Sequence, residues 1–492
     1  MNRRVNIREK FLYEIWKTQN FHKGLRTGDA KQIEIISPGE ENKETDGPDF
    51  LHAKIRIDNI TYIGDVEIDI FTSDWESHKH RTNKWYNKVI LHVVLNSNMK
   101  RTYVISQNGR RIPSVCISSF LRDDLRENIQ KSILSERNNR MKKMPCIEMN
   151  NVVDEKDKLN FIYDLGILRF RSKCDKALSR LKEISYLKEL SIKEPVIGYD
   201  FDERFFNRTF SQSDFNDKAI WHQLIYESVF EALGYSKNKE IMKSITKAAD
   251  VNFFNQHINQ SNSVEYIEAA LFNISGLLPE IDHLPDTETS TYFRNIYQLW
   301  SDIRPSYDGR LFHLSEWHFL KMRPQNFPTI RLAGGVHILH RILRENLFGI
   351  IIENIENQDI KDIPKQLQVL IMVHGQGYWS SHYVYNQPSK EKINYFVGIS
   401  RSDEIIINII LPILVVYFNI FNKKELAQKV ISLYLNYYQK SNNSLVNEVS
   451  SALSLNTAWK RSVLYQGLIE LFRNYCLKDK CSECQIGKKV FS

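Results

Sequence analysis

The sequence predicts an α+β protein: an N-terminal α/β domain over residues 1–145, a large all-α domain over 146–475 and a cysteine-bearing tail over 476–492. Two changes of period lead to this reading. Residues 50–71 alternate apolar with polar side chains, as a half-buried strand does, whereas stretches from about Asp154 onward repeat apolar residues at helical spacing. Composition allows folded domains of this size. Of 492 residues, 42% are hydrophobic and 26% charged, and 19 Gly with 13 Pro are too few for a low-complexity or collagen-like chain.

Taken in order, residues 7–20 place Phe11, Leu12, Ile15 and Trp16 at helical spacing, so the chain opens with an amphipathic helix. The turn formers that follow, through Pro38-Gly39 to Gly47-Pro48, read as a polar loop. Residues 50–58 and 60–71 then form a hairpin about Asp58-Asn59. A polar helix or loop is expected over 74–87, a buried strand over 88–95 (KVILHVVL) and another near Thr102–Ser106. Residues 119–143 return to helical spacing and end on Arg137, Arg140, Lys142 and Lys143. Past a junction near Lys143–Val153, helices are expected over 159–188, 217–235, 264–278, 333–352, 404–421, 424–439 and 460–475. Asn408, Pro412 and Asn419 interrupt the apolar run Ile405–Phe421, which therefore reads as a buried helix and not a membrane span.

Net charge is +8 and unevenly spread. Residues 1–145 hold 26 Lys and Arg against 19 Asp and Glu, while the rest hold 41 against 40. A basic first segment points to a phosphate-rich partner such as nucleic acid. Met1–Asn20 contains no apolar core of signal-peptide length, and six Cys make no disulfide framework in a chain this long. A reducing, cytoplasmic setting without a membrane is expected.

The stretch GPDFLHAKIRIDNITYIGDVEIDI (47–70) carries the main chemical signal. Residues two apart share a strand face, so Asp65, Glu67 and Asp69 lie together opposite Val66, Ile68 and Ile70. Three adjacent carboxylates repel one another unless solvent, cations or basic neighbours offset the charge. Asp49 opens the partner strand and can join them. Hard oxygen ligands of this kind suit Mg²⁺ or Mn²⁺, which activates water and neutralises a phosphodiester. His78, Lys79, His80 and Lys84 follow directly and supply basic groups for a hydrolytic site. The simpler reading is an ordinary acidic strand face in solvent.

The order helix, hairpin with Pro48-Asp49 and Glu67, helix, strand resembles the PD-(D/E)XK nuclease superfamily. The resemblance implies a restriction-endonuclease-like α/β domain in which Asp49 and Glu67 hold the metal, with Glu14 of the opening helix assisting. Asp69 stands where that family has Lys, and the resemblance leaves Lys79, His78 or His80 to provide the basic group. Over most of its length the chain also resembles an uncharacterised bacterial domain-of-unknown-function family. PGEENKETDGPDF, GDVEIDIFTSDWESH, LHVV, RPQNFPTIRL and YCLKDKCSEC carry that resemblance.

Cys476, Cys481 and Cys484 form C-x4-C-x2-C near the end of the chain. A C-x-x-C turn presents two thiolates to one ion, as in zinc and iron–sulphur sites. Three ligands are one short of a closed site, so a fourth must come from elsewhere: Cys146 first, with Cys174 or a His as alternatives; reduced, packed cysteines are the simpler reading. RPQNFPTIRL (323–332) sets Arg323 and Arg331 at a turn before a helix, a phosphate site or only a connection. Tyr378, Trp379 and His382 read as a stacking surface or a core corner. No P-loop, G-x-G-x-x-G after a strand or G-x-S-x-G elbow is present, so nucleotide-driven, dinucleotide and elbow-hydrolase readings lack support.

The expected function is a metal-dependent nuclease or phosphodiesterase on nucleic acid. Asp49 and Glu67 would bind Mg²⁺ or Mn²⁺, Asp65 or Asp69 complete the shell, and Lys79, His78 or His80 act as the base. Zinc or an iron–sulphur cluster is expected at the cysteines. The alternative is a nucleic-acid-binding or scaffold protein that keeps the nuclease-like fold without its chemistry.

Overall fold

A computed structural model describes residues 9–19, 24–42, 47–78, 80–97, 99, 101–117, 120, 144–192, 201, 203–258, 263–279, 288–319, 323–385, 387–389, 391–439, 443–455 and 460–491. The chain is mixed α+β and divides into two compact units, Met1–Lys143 and Met144–Ser492. The expected helix over 119–143 and its basic run lie almost wholly outside the described residues.

The first unit opens with helix α1 (Glu9–Thr18) and builds one sheet. Its strands are β1 (Ile33–Ser37), β2 (Glu40–Glu41), β3 (Phe50–Ile57), β4 (Ile60–Phe71), β5 (Val89–Asn96), β6 (Tyr103–Ile105) and β7 (Arg111–Cys116). Their order is β1-β3-β4-β5-β7-β6, with β2 beside β3. The predicted hairpin is β3–β4, closed between Ile57 and Ile60, with Asp58 in the left-handed region at φ 49°. β5 then runs parallel to β4, and β7 parallel to β5. The crossover between β4 and β5 contains the short helix α2 (Asp74–Ser77) and two 3₁₀ turns, His80–Thr82 and Lys84–Lys88.

Part of the stretch read as a polar loop is instead a strand. Ile33 and Ile35 of β1 stand opposite Ile57 and Ile55 of β3. Five residues among turn formers make too short an alternation to stand out, and their pairing with β3 decides the conformation. In β3 the register breaks between Phe50, opposite Val66, and Ala53, opposite Gly64. Two residues, Leu51 and His52, thus face one, Asp65, in a β-bulge with His52 at φ 57°. The bulge resets the alternation so that Phe50 and Ala53 are both fully buried.

Each side of the sheet has its own interior. On one side, Leu12, Ile15 and Trp16 of α1 pack with Phe50, Ile55, Val66, Ile68, Leu91 and Val93. On the other, Trp75, Tyr86, Val89, Val104 and Ile112 form a second cluster.

The second unit is mainly helical. It contains α3 (Glu155–Glu189), α4 (Lys218–Leu233), α5 (Ser263–Ser275), α6 (Pro328–Arg344), α7 (Leu347–Asn357), α8 (Ile399–Ile405), α9 (Leu411–Ile420), α10 (Lys424–Asn436), α11 (Ser462–Asn474) and α12 (Gln485–Phe491). Short strand pairs within 373–397 depart from the all-α expectation. The helix expected over 333–352 is broken at Asn346, which takes φ 51° between α6 and α7. α3 and α11 cross at glycines, where a Cβ on Gly166 would lie 2.0 Å from the Val463 carbonyl oxygen and one on Gly467 1.9 Å from that of Ile162. α8 and α9 join through a π-helical turn, Ile406–Ile410, just before Pro412. The resulting helix Ile399–Ile420 is long and apolar enough to cross a membrane, but 72% of its most apolar window is buried inside the protein. The tail 476–492 belongs to this unit and is not separate.

Candidate functional site

The polar face of β4 is buried, not solvated. Asp65, Glu67 and Asp69 are all buried, and so is Asp49. Alternation alone produces the stripe; the crossover and β5 cover it. Burying carboxylates is costly unless each finds donors or cations, and the structure supplies them unequally.

Asp49 is saturated by structural partners. Its Oδ1 accepts from the Tyr13 hydroxyl of α1 and its Oδ2 from the Ile68 N–H at 3.0 Å, while its own N–H donates to Glu67 Oε2 at 3.1 Å. Asp65 Oδ1 accepts from the N–H of bulged His52 at 3.2 Å. These two carboxylates tie the start of β3 to β4.

Asp69 gathers histidines. His78 Nδ1 is 3.0 Å from its Oδ1, and His92 Nε2 is 3.0 Å from its Oδ2. His92 Nδ1 in turn lies 3.2 Å from the Ser114 hydroxyl of β7. Burial would raise the Asp69 carboxyl, but hydrogen bonds with His78 and His92 outweigh it and hold the group below the ordinary carboxylate range.

His80 is different. Its Nε2 is 3.0 Å from Glu67 Oε1 and 4.0 Å from Asp69 Oδ2, yet it is angled so that this buried nitrogen makes no hydrogen bond. The ring is fixed by stacking on Tyr86, centroids 4.0 Å apart, and by the edge of Trp75 at 5.3 Å. Burial pushes its imidazole down to about 3 despite the pull of Asp69, so the ring is neutral near pH 7 with a lone pair to give. Asp69, His78 and His80 each present a ligand atom within 4.8 Å of the others, a spacing that one cation could bridge. Glu67 adjoins them through His80. Of the group, His78 alone reaches solvent, with 32% of its side chain exposed.

Ser114, at the far end of the His92 link, lines a cavity of about 160 Å³ together with Thr72, Ser97, Arg101 and Thr102. Nothing in the sequence reading singled out His92, Ser114 or Tyr13. His92 had one available signal: it is the single charged-type side chain inside the apolar run VILHVVL. Lys79 and the side chain of Glu14 lie outside the described residues.

The other sequence candidates fall in the second unit. Arg331 is buried, its guanidinium donating to the Phe396 carbonyl and, at 2.5 Å, to Asn326 Oδ1. It lies over the Tyr235 ring at 5.3 Å, so it holds the turn and α6 against their neighbours. Tyr378 stacks between Tyr292 and His382, and Trp379 is buried against Phe272. Cys146, Cys476 and Cys484 are buried and Cys481 is half-buried, and none is in a disulfide.

Residues 9–191 and 207–444 match the family model described as protein of unknown function (DUF2851). The chain belongs to this family. The DUF2851 match spans both units and takes in the whole β3–β4 hairpin, α2, the histidines and β7, but it ends before the C-x4-C-x2-C stretch. No curated protein and no solved structure matches the chain.

Proposed function

We propose that the first unit is a metal-dependent phosphodiesterase acting on nucleic acid, of the nuclease type that the PD-(D/E)XK resemblance implies. One observation carries the reading: the buried, hydrogen-bond-free Nε2 of His80 faces Glu67 and Asp69. A buried polar atom without a hydrogen bond is costly, and a cation between the nitrogen and the two carboxylates would satisfy it. The residues therefore fit a metal, and Glu67, Asp69 and His80 would hold it, with His78 on the solvent side. Imidazole donors among the oxygens favour Mn²⁺ over Mg²⁺. Such an ion supplies an acidic water and charge for a phosphodiester oxygen.

The protein's own groups have separate roles. His92, locked between Asp69 and Ser114, orients the Asp69 carboxylate. Asp49 and Asp65 fix the strand backbone around it. His78, exposed and beside Asp69, is placed to take a proton from an attacking water. Arg101, lining the cavity at the Ser114 end, is placed to bind a neighbouring phosphate. The element order helix, antiparallel hairpin, crossover, parallel strand also supports the resemblance.

Single- and double-stranded DNA and RNA incubated with the purified protein and Mn²⁺ test the reading. Cleavage that chelation abolishes and Glu67→Gln removes is expected; no cleavage of any substrate, or a Glu67→Gln protein as active as the wild type, overturns it. Asp69 in the family's lysine position favours a second reading, a nucleic-acid-binding protein without turnover. Salt-dependent binding in the absence of cleavage would identify it.

A further inference from the structure

All six cysteines are free thiols, and four of them come together in the second unit. Cys476, Cys481 and Cys484 lie in successive turns, with the Cys484 N–H donating to the Cys481 carbonyl at 3.3 Å, α12 packs against the 3₁₀ turn Asn150–Val152 that follows Cys146, and each pair among the four is close enough to interact electrostatically. Two elements bring them there. Cys146 sits in the turn that precedes α3, and the other three occupy the turns between α11 and α12. Cys174, on α3, interacts instead with Asp175 and Lys173.

Burial, with the neighbouring sulfurs, pushes the Cys146, Cys476 and Cys484 thiols up, a cost that a cationic centre between them would remove. The N–H groups of Ile486 and Gly487 hydrogen-bond the Cys484 sulfur. Lys158 is buried beside Cys146, with its ammonium donating to two neutral oxygens, Asn150 Oδ1 at 2.6 Å and the Leu453 carbonyl at 3.0 Å. Glu155 and Cys146 are the acidic groups whose charge reaches it, and a charged sulfur at Cys146 would stabilise the buried ammonium further. Four thiolates around a dipositive metal core carry two net negative charges, and Lys158 would offset one of them.

We propose that Cys146, Cys476, Cys481 and Cys484 ligate an iron–sulphur cluster. Two features select a cluster over a single zinc ion. A tetrahedral zinc with bonds of about 2.3 Å holds its sulfurs about 3.8 Å apart, whereas among the described residues the one His, Cys or carboxylate trio converging within 4.8 Å is Asp69, His78 and His80, not any three of these sulfurs. A cluster places at most two of the four thiolates on any one iron, so no three of the sulfurs need converge. The C-x4-C-x2-C spacing with one distant cysteine is also that of plant-type ferredoxin ligands, here with the distant ligand upstream.

The test is metal analysis of the full chain purified without oxygen. Iron and acid-labile sulfide with broad visible absorbance are expected in the wild type and in Cys174→Ser. Both should be lost together in Cys146→Ser and in Cys481→Ser. Zinc in place of iron would overturn the cluster, and a metal-free wild type would overturn the site. Reconstitution of stripped wild-type protein with Fe²⁺ and sulfide gives a reading that does not depend on any variant folding: no recovered chromophore also overturns it. Because the readout is metal content in the second unit, it stands or falls apart from cleavage by the first.

Discussion

The two faces of β4 are made of alternate residues of one strand and have opposite surroundings. Val66 and Ile68 enter an apolar interior closed by α1, whereas Glu67 and Asp69 enter a polar one built from His78, His80 and His92. A period of two can thus separate stability from chemistry within one segment. The apolar face carries the burial that holds the unit together, and the polar face keeps costly groups where only partners or a cation make them tolerable.

Substitutions on each face should therefore fail in different ways. Ile68→Ala removes a fully packed side chain and is expected to cost about 2–5 kcal/mol in denaturant unfolding, with the metal-binding residues untouched. A loss below 1 kcal/mol would mean that this face does not hold the unit. Glu67→Gln is expected to lower Mn²⁺-dependent cleavage by about a hundredfold or more while the thermal midpoint stays near that of the wild type. A large fall in the midpoint with unchanged cleavage would reverse the assignment of the two faces.

His92→Leu probes the link between them. It leaves Asp69 and Ser114 without their shared partner and is expected to destabilise by about 1–3 kcal/mol, with reduced Mn²⁺ affinity measured by titration. The smallest effect concerns acid. His80 is held down to about 3, below its ordinary 6.5, so as pH falls from 6.5 the unfolded chain takes up a proton that the folded chain refuses. In EDTA, stability should decline as pH falls from about 6.5 toward about 3, and His80→Gln should flatten that part of the profile. A slope of the opposite sign would place His80 in a charged, carboxylate-paired state.

Much of the first unit was readable from the sequence because the deciding contacts are local. The β3–β4 hairpin closes over two residues, and the Asp65, Glu67, Asp69 stripe follows from alternation alone. β1 and β7 were not readable, since five- and six-residue strands owe their conformation to partners distant in the chain. His92 was missed for a related reason: its role exists only because β5 lies parallel to β4 in a register that sets His92 opposite Glu67. Asp49 was foreseen near the carboxylates, but sequence could not show that Tyr13 and the Ile68 N–H would occupy it. Burial of the stripe likewise depended on the crossover folding over it, which composition does not disclose.

Trp75 lies under this arrangement, fully buried, its ring 5.3 Å from His80 and 5.2 Å from His92 and its indole N–H bonded to the Ile105 carbonyl at 2.9 Å. A rigid indole against two imidazoles is a native optical probe. Its emission, isolated as the difference between wild type and Trp75→Phe, should dim when a paramagnetic ion settles at His80, which lets occupancy be followed by fluorescence in the unlabelled protein.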